Sequence, residues 1–163
     1  MNKTIIIFIL AIAGLVWWGR SNQANGPSQA GAGTNGNSSL AASETLYDFG
    51  TISMKNRLVN HVFKITNSTD KDIEVKTVTT SCMCTKAYIE SASGEKGPFG
   101  MPGMSFVPPA NELIRAGESR DIKVVYDPNA HGPAGVGSID RFIYLTDALG
   151  GALQFEIKAM VTP

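Results

Sequence analysis

Two cysteines one residue apart, Cys82 and Cys84, are the residues of this sequence with the clearest capacity for chemistry. In an extended strand their Cα atoms would be about 6.6 Å apart, near the upper limit for a disulfide, so a bridge between them requires a bend. In an oxidising compartment, thiols are vulnerable to oxidation unless they are buried, bonded to each other or bound to a metal. The pair therefore leaves three interpretations open: a buried apolar pair, a strained or redox-active disulfide, and a metal site.

Further soft metal ligands occur in two irregular segments that follow the cysteines. Residues 91–110 are rich in Gly and Pro, are expected to form a long loop, and contain Met101 and Met104. Residues 127–137 carry His131. Thiolates and thioethers suit Cu(I), whereas two cysteines and one loop histidine fall short of a four-ligand zinc site. If both loops meet the cysteines at one end of the fold, the sequence predicts a Cu(I) site with these ligands: Cys82, Cys84, Met101, Met104 and His131.

The second histidine and the lack of catalytic motifs argue against an enzyme. His61 is in phase with Phe63 and Ile65, so we expect a partly buried strand histidine with a hydrogen-bond partner rather than a metal ligand. The sequence contains no G-x-S-x-G or H-E-x-x-H motif and no glycine run suited to binding phosphate. We therefore expect no catalytic residues and no cofactor besides Cu(I), although the cysteine pair leaves a thiol-redox role open.

The charge composition argues against a nucleic-acid partner. The 163 residues contain fourteen Lys and Arg against fourteen Asp and Glu, so the positive excess expected of a phosphate-binding surface is missing. Seventeen glycines and eight prolines indicate many turns rather than long helices.

Residues 1–20 have the features of an export segment. The uncharged apolar run 5–18 follows a positively charged start, which is the order found in secretory signals. As a helix this run is about 21 Å long, shorter than a ~30 Å hydrocarbon core, which favours a cleaved signal peptide. Trp17, Trp18 and Arg20 are instead typical of a retained signal anchor. Both alternatives place the protein outside the cytoplasm, anchored to the inner membrane by the N-terminal hydrophobic helix or secreted to the periplasm.

Residues 21–43 are composed almost entirely of Gly, Ser, Ala, Asn and Gln. Such a segment cannot bury enough apolar surface to offset the entropy lost on ordering, so we expect a disordered linker. A flexible chain of this length has a typical end separation of about 25 to 29 Å, which would hold a folded head near a bilayer but clear of it. The head is then expected to cover residues 44–163.

From residue 46 onward, apolar and polar residues alternate with a period of two, and turn residues interrupt them at short intervals. The clearest strand is 152–161, and the phase slips between Val75 and Val78 as a bulge would cause. Seven strands in one sheet would expose an apolar face, so an all-β, immunoglobulin-like antiparallel sandwich of about seven strands is expected, with a closed small barrel as the alternative. The expected strands lie within 46–52, 58–67, 73–78, 85–89, 122–126, 139–145 and 152–161.

An ordered set of motifs spans nearly the whole predicted head. It comprises YDFGTI (47–52), H-x-F-x-I-x-N (61–67), SCMCT (81–85), AGE (116–118) and YDP (126–128). The set resembles the bacterial domain-of-unknown-function family fifteen-seventy-three, which is related to the immunoglobulin-like domains of ASPM, SPD-2 and Hydin. That family commonly has SCGCT, whereas Met83 stands in place of the glycine here, where a left-handed backbone would be costly. The resemblance implies an exported sandwich module and establishes no activity or ligand.

Two functions follow from these observations. The first is a non-catalytic, membrane-tethered extracytoplasmic module that binds a protein or envelope component through sheet edges or end loops. The second is a Cu(I)-binding or thiol-redox protein that uses Cys82 and Cys84.

Overall fold

The computed structural model describes residues 38–163, which form ten strands and two short 3-10 helices. The expected N-terminal helix and most of the expected linker lie outside these residues. Within 38–163, no helix is both long and apolar enough to span a bilayer. The strands are β1 (Leu40–Ala42), β2 (Leu46–Ser53), β3 (Val59–Asn67), β4 (Ile73–Thr80), β5 (Thr85–Ser91), β6 (Gly94–Phe99), β7 (Glu112–Ile114), β8 (Ser119–Tyr126), β9 (Gly137–Asp147) and β10 (Ala152–Thr162). The helices are η1 (Met54–Asn56) and η2 (Gly132–Gly135).

The strands form two five-stranded sheets packed as an open sandwich, which confirms the all-β, two-layer prediction over the closed barrel. The first sheet has the order β1-β3-β8-β5-β6 and the second has the order β2-β10-β9-β4-β7. The prediction of a wholly antiparallel arrangement was wrong at one pair, because β2 runs parallel to β10. After β1 pairs with β3 in the first sheet, the chain crosses to the second sheet and meets the last strand in the same direction.

Three more strands are present than the seven predicted, and all three lie at sheet edges. Strand β1 falls inside the segment expected to be linker, so the ordered head begins before residue 44, with Leu40 buried. Strand β6 falls inside the expected loop 91–110, and β7 has only three residues. Edge strands bury little surface, so β6 shows no apolar alternation and only Phe99 at its end is buried.

The core lies between the sheets and follows the predicted strand phase. Along β10 every second side chain from Leu153 is buried, and Phe155 stacks on Phe63 of the opposite sheet with ring centroids 4.6 Å apart. The predicted bulge in β4 is confirmed as a register shift between Val75 and Thr77. These inward-facing rows fix which ends of the strands meet.

Two sheet-to-sheet connections lie side by side at one end of the sandwich. The chain leaves the second sheet at the end of β4 and enters the first at β5, and it returns from the first to the second between β8 and β9. The two connections are joined where the Asp127 amide donates to the Cys84 carbonyl at 2.9 Å. This end of the sandwich carries the sulfur-containing turn.

Candidate functional site

The turn between β4 and β5 is fixed by hydrogen bonds from its flanking residues. The Thr85 amide donates to the Cys82 carbonyl at 3.1 Å, which closes a four-residue turn. The Thr80 hydroxyl donates to the same carbonyl at 3.0 Å. Ser81 and Phe142 exchange two further bonds of 2.9 Å, which attach the turn to β9. The turn is therefore held by both sheets.

This turn supplies the bend that a bond between the two cysteines requires. The Cα atoms of Cys82 and Cys84 are 5.3 Å apart, and the two sulfurs are joined as a disulfide. Met83 is accommodated without a left-handed backbone, since the non-glycine residues with positive φ in residues 38–163 are Arg57 and Asn111. Met83 is therefore compatible with the bend.

The two sulfur-bearing residues differ in their access to solvent. Cys82 is half-buried, whereas Cys84 is 3% exposed and belongs to the core. Met83 between them is 44% exposed and projects at the surface. A reagent approaching from solvent therefore reaches the Cys82 sulfur before that of Cys84.

His131 lies against the more accessible sulfur. Its Nε2 is 3.2 Å from Sγ of Cys82, within the contact range of a nitrogen–sulfur hydrogen bond. A local turn after β8 places the ring, because the Asn129 amide donates to the Asp127 carboxylate at 2.9 Å and the Gly132 amide donates to the Asn129 carbonyl at 2.9 Å. Gly132 has a φ of +55°, a conformation in which glycine avoids the strain of a side chain.

Arg141 lies against the buried sulfur and was missed by sequence reasoning. Its Nε donates to Sγ of Cys84 at 3.3 Å, and its Nη1 donates to the Asp140 carbonyl at 2.8 Å. The signal was present in β9, where Arg141 occupies the inward phase between Ile139 and Ile143. A cation at an inward position of a strand requires a partner, and here the partner is sulfur.

The charge of Arg141 also acts on a buried tyrosine beside the turn, Tyr126. Tyr126 is 1% exposed and pairs in register with Thr85. Burial raises the pKa of Tyr126 above its ordinary value, and the nearby Arg141 opposes part of this rise. Arg141 and His131 both line an open cleft of about 300 Å³ next to the turn.

Three of the five predicted ligands come together. The ligand atoms of Cys82, Cys84 and His131 all lie within 4.8 Å of one another. The loop carrying Met101 is tied to the same end of the sandwich through its backbone, because the Thr80 amide donates to the Gly100 carbonyl at 3.1 Å. Met104 is 58% exposed. In the described part of the chain, the hydrogen bonds and core contacts link neither thioether to the three-residue group.

His61 has the role expected of it. Its Nε2 is 2.7 Å from a Glu44 carboxylate oxygen, and its ring stacks on Tyr47 with centroids 3.6 Å apart. It also meets Phe63 edge-on, at 4.8 Å between centroids. It is therefore a partly buried strand histidine with a hydrogen-bond partner, and it provides a control for substitutions of His131.

Comparison with protein families supports the resemblance seen in the sequence. The family described as "Protein of unknown function (DUF1573)" matches residues 40–101. The resemblance is confirmed over this segment. It contains the cysteine turn and ends before both His131 and Arg141, so the family match says nothing of these two residues. No curated protein is significantly similar to the chain in sequence.

Solved structures share the fold at low sequence identity. A protein of unknown function from Porphyromonas gingivalis W83 has a TM-score of 0.53 and 18% identity over 74% of this chain and 46% of that chain. A family 123 glycoside hydrolase from Clostridium perfringens has a TM-score of 0.50 and 9% identity over 72% and 23%, respectively. The ASH/PapD-like domain 7 of human CEP192 has a TM-score of 0.48 and 9% identity over 86% and 96%. The chain spans less than half the length of the first protein, and the similarities to the first two proteins concern the fold alone.

Proposed function

We propose that the protein exchanges thiols and disulfides at Cys82 and Cys84. The observation that carries this proposal is the placement of a different polar group on each sulfur: His131 Nε2 at 3.2 Å from Cys82 and Arg141 Nε at 3.3 Å from Cys84. A purely structural disulfide needs neither contact. Of the two functions expected from the sequence, this geometry favours the thiol-based one.

The exchange begins at the accessible sulfur. A thiolate of a partner attacks Sγ of Cys82, forming a mixed disulfide while the Cys82–Cys84 bond breaks and Cys84 leaves as a thiolate. The guanidinium of Arg141 stabilises that thiolate, as cations beside cysteines do. A second partner thiolate then attacks the partner sulfur of the mixed disulfide and releases the Cys82 thiolate. Two electrons pass from the partner dithiol to the cysteine pair, and the reverse sequence returns them.

In this proposal, His131 is the acid–base group for the Cys82 sulfur. When Cys82 is in a disulfide, its sulfur accepts and Nε2 donates. When Cys82 is released as a thiolate, the same nitrogen stabilises it or supplies a proton. A positioned acid–base group of this kind contributes roughly 100-fold or more to proton-coupled steps.

Trapping of mixed disulfides tests the order of attack. The full-length Cys84→Ser variant retains the accessible sulfur, and the Cys82→Ser variant retains the buried one. We expect the Cys84→Ser protein to react with oxidised glutathione at least about tenfold faster, because attack depends on the access of the sulfur. Mass spectrometry of quenched samples gives both rates. Equal rates, or faster reaction of the Cys82→Ser protein, would show that the proposed order is wrong.

A second pair of variants isolates the histidine. Placed in the Cys84→Ser background, His131→Asn should slow the reaction of Cys82 by roughly 100-fold, at the low end of general acid–base effects. His61→Asn in the same background is the matched control and should leave the rate unchanged. A similar loss in both variants would assign the effect to folding rather than to the contact with sulfur.

We also propose that the head works outside the cytoplasm on a tether, as the charged-then-apolar order of residues 1–20 indicates. Because β1 begins at Leu40, a deletion that tests the tether should remove residues 21–37 and leave β1 intact. Fractionation of cells after alkaline extraction distinguishes a retained anchor from a released protein. Recovery in the cytoplasm would contradict this location.

A non-catalytic module that binds a protein or envelope component is the second candidate. It is favoured by the loop between β6 and β7, where Phe106 is 85% exposed beside the exposed Met104. An exposed aromatic side chain is a common anchor at protein interfaces. A photo-cross-linker at the exposed Ser105 in intact cells would capture such a partner, and Phe106→Ala should abolish the cross-link while leaving thiol exchange unaffected.

A further inference from the structure

We propose that reduction of the Cys82–Cys84 bond opens a Cu(I) site formed by both thiolates and by Nε2 of His131. The inference rests on the proposed function only in requiring that the bond be reducible. The three ligand atoms already lie within 4.8 Å of one another, on a turn fixed by both sheets. Two thiolates and an imidazole form a soft donor set, which suits Cu(I).

Reduction and metal binding are separate, balanced steps. Two thiols of a reductant form a disulfide and deliver two electrons and two protons to the protein disulfide, which becomes two thiols. Cu(I) then displaces the two thiol protons and keeps its oxidation state. Metal affinity requires deprotonated thiolates, which the oxidised pair lacks. Metal binding would therefore follow the redox state of the turn.

The proposed Cu(I) site has a positively charged side chain beside it that balances its own negative charge. Two thiolates and one Cu(I) carry a net charge of −1, and Cys84 is 3% exposed, where an uncompensated charge is costly. The guanidinium of Arg141, 3.3 Å from that sulfur, supplies the balancing positive charge. Arg120 shows the ordinary alternative, because it pairs with the carboxylates of Glu112 and Glu118.

The same donor set disfavours hard cations and closed zinc sites. In residues 38–163, the group of clustered ligand atoms contains Cys82, Cys84 and His131, with no carboxylate among them. A structural zinc site requires four protein ligands. Low-coordinate Cu(I) requires fewer, so three ligands suffice here.

Competition for Cu(I) with a chromophoric chelator tests the proposal on the full-length protein. The phosphine-reduced protein should take up one Cu(I) per chain, and the oxidised protein should take up none. Cys82→Ser and Cys84→Ser should each weaken binding by ~100-fold or more, since affinity for Cu(I) depends on the thiolates. Arg141→Gln should weaken it about tenfold, in the range of outer-shell substitutions. His61→Asn and the Met101→Leu/Met104→Leu double variant should bind as the parent does.

The outcomes separate this inference from the proposed function. Normal thiol exchange without Cu(I) uptake by the reduced protein would overturn the metal site alone. Cu(I) uptake by a protein that is reduced by phosphine but fails to exchange with thiols would support the metal site and refute the exchange function. A loss of affinity in the methionine double variant equal to that of the cysteine variants would overturn the three-ligand assignment. X-ray absorption of the loaded protein should show two sulfur ligands and one nitrogen ligand.

Discussion

Inward-facing positions of the same strand meet different surroundings at the centre and at the sulfur-bearing end of the sandwich. At the centre, Ile143 and Leu145 of β9 are fully or nearly fully buried among apolar side chains. Two residues earlier, the equivalent position holds Arg141, whose neighbour is the Cys84 sulfur. The centre is therefore built for stability. The sulfur-bearing end holds the Arg141 guanidinium at an inward position and stabilises it with the polarisable, reducible sulfur of Cys84.

The comparison predicts that substitutions at the centre lower stability and leave thiol reactivity unchanged. Phe155→Ala should lower the free energy of unfolding by ~3 to 5 kcal/mol, because a large buried aromatic side chain is lost. Urea denaturation measures the effect, and Phe106→Ala at the 85% exposed position should stay within about 0.5 kcal/mol of the parent. A loss below about 1 kcal/mol for Phe155→Ala would mean that the inward row of β10 is wrongly assigned.

The ion pairs of the buried Glu112 provide a second test of what stabilises the sandwich, with an expected effect of intermediate size. Glu112 is 5% exposed and pairs with Lys96 and Arg120. Burial alone would raise the pKa of Glu112, but hydrogen bonds and charges from Lys96 and Arg120 outweigh it and hold the pKa below its usual value. Its contribution to stability is therefore full above pH ~4.5 and is lost as the pH falls through the lower folded-state pKa.

The variant Glu112→Gln should consequently lower the free energy of unfolding by about 1.5 to 3 kcal/mol at pH 7, the range for hydrogen bonds to charged groups. The difference from the parent should shrink as the pH drops below ~4.5. Denaturation curves from pH 3 to 7 measure it, with Glu74→Gln at a more exposed pair as the control. A difference that stays constant down to pH 3 would show that the carboxylate charge is not the cause.

Reduction of the Cys82–Cys84 bond tests the difference between the apolar centre and the sulfur-bearing end. We expect the bond to contribute little to the free energy of unfolding, because its proposed role is thiol exchange. The bond closes a loop of only three residues, for which chain entropy predicts about 1.6 kcal/mol of stabilisation. Unfolding in urea with and without a phosphine reductant measures this difference. A loss of more than about 3 kcal/mol, or of cooperative unfolding, would indicate a structural bond instead.

The sequence predicted the central strands well because burial imposes a period of two on them. The seven predicted strands correspond to β2–β5 and β8–β10, and the bulge in β4 was visible as a phase slip. The edge strands β1, β6 and β7 were not predicted, since a strand paired on one side needs little alternation. The alternation of apolar and polar residues therefore indicates which strands are buried. It indicates strand pairing only where the paired strand is also buried.

Only part of the candidate site was predicted from the sequence, because residue type is visible in the sequence and proximity in space is not. Cys82, Cys84 and His131 were recognised by residue type, and their proximity depended on two connections crossing at the same end of the sandwich. Arg141 was overlooked because the strand 139–145 was predicted from its apolar residues, and the charged residue among them was given no role. In retrospect, an inward-phase cation was the strongest single indication of a charged or polarisable partner.

Replacement of Arg141 should produce the smallest effect and tests the comparison most directly. Arg141→Gln keeps a hydrogen-bond donor but removes the charge beside Cys84, so we expect thiol exchange of the intact pair to slow about tenfold, equivalent to about 1.4 kcal/mol in the barrier. Arg141→Lys should recover part of the rate, because it keeps the charge without the planar donor geometry. Arg115→Gln, at a guanidinium paired with Glu118 and 69% exposed in its side chain, is the control and should match the parent. Stopped-flow reduction by a dithiol gives the rates, and urea denaturation shows whether stability has changed. If Arg141→Gln lowered stability by several kcal/mol and left the rate of the folded protein unchanged, Arg141 would belong to the structural centre rather than to the reactive end.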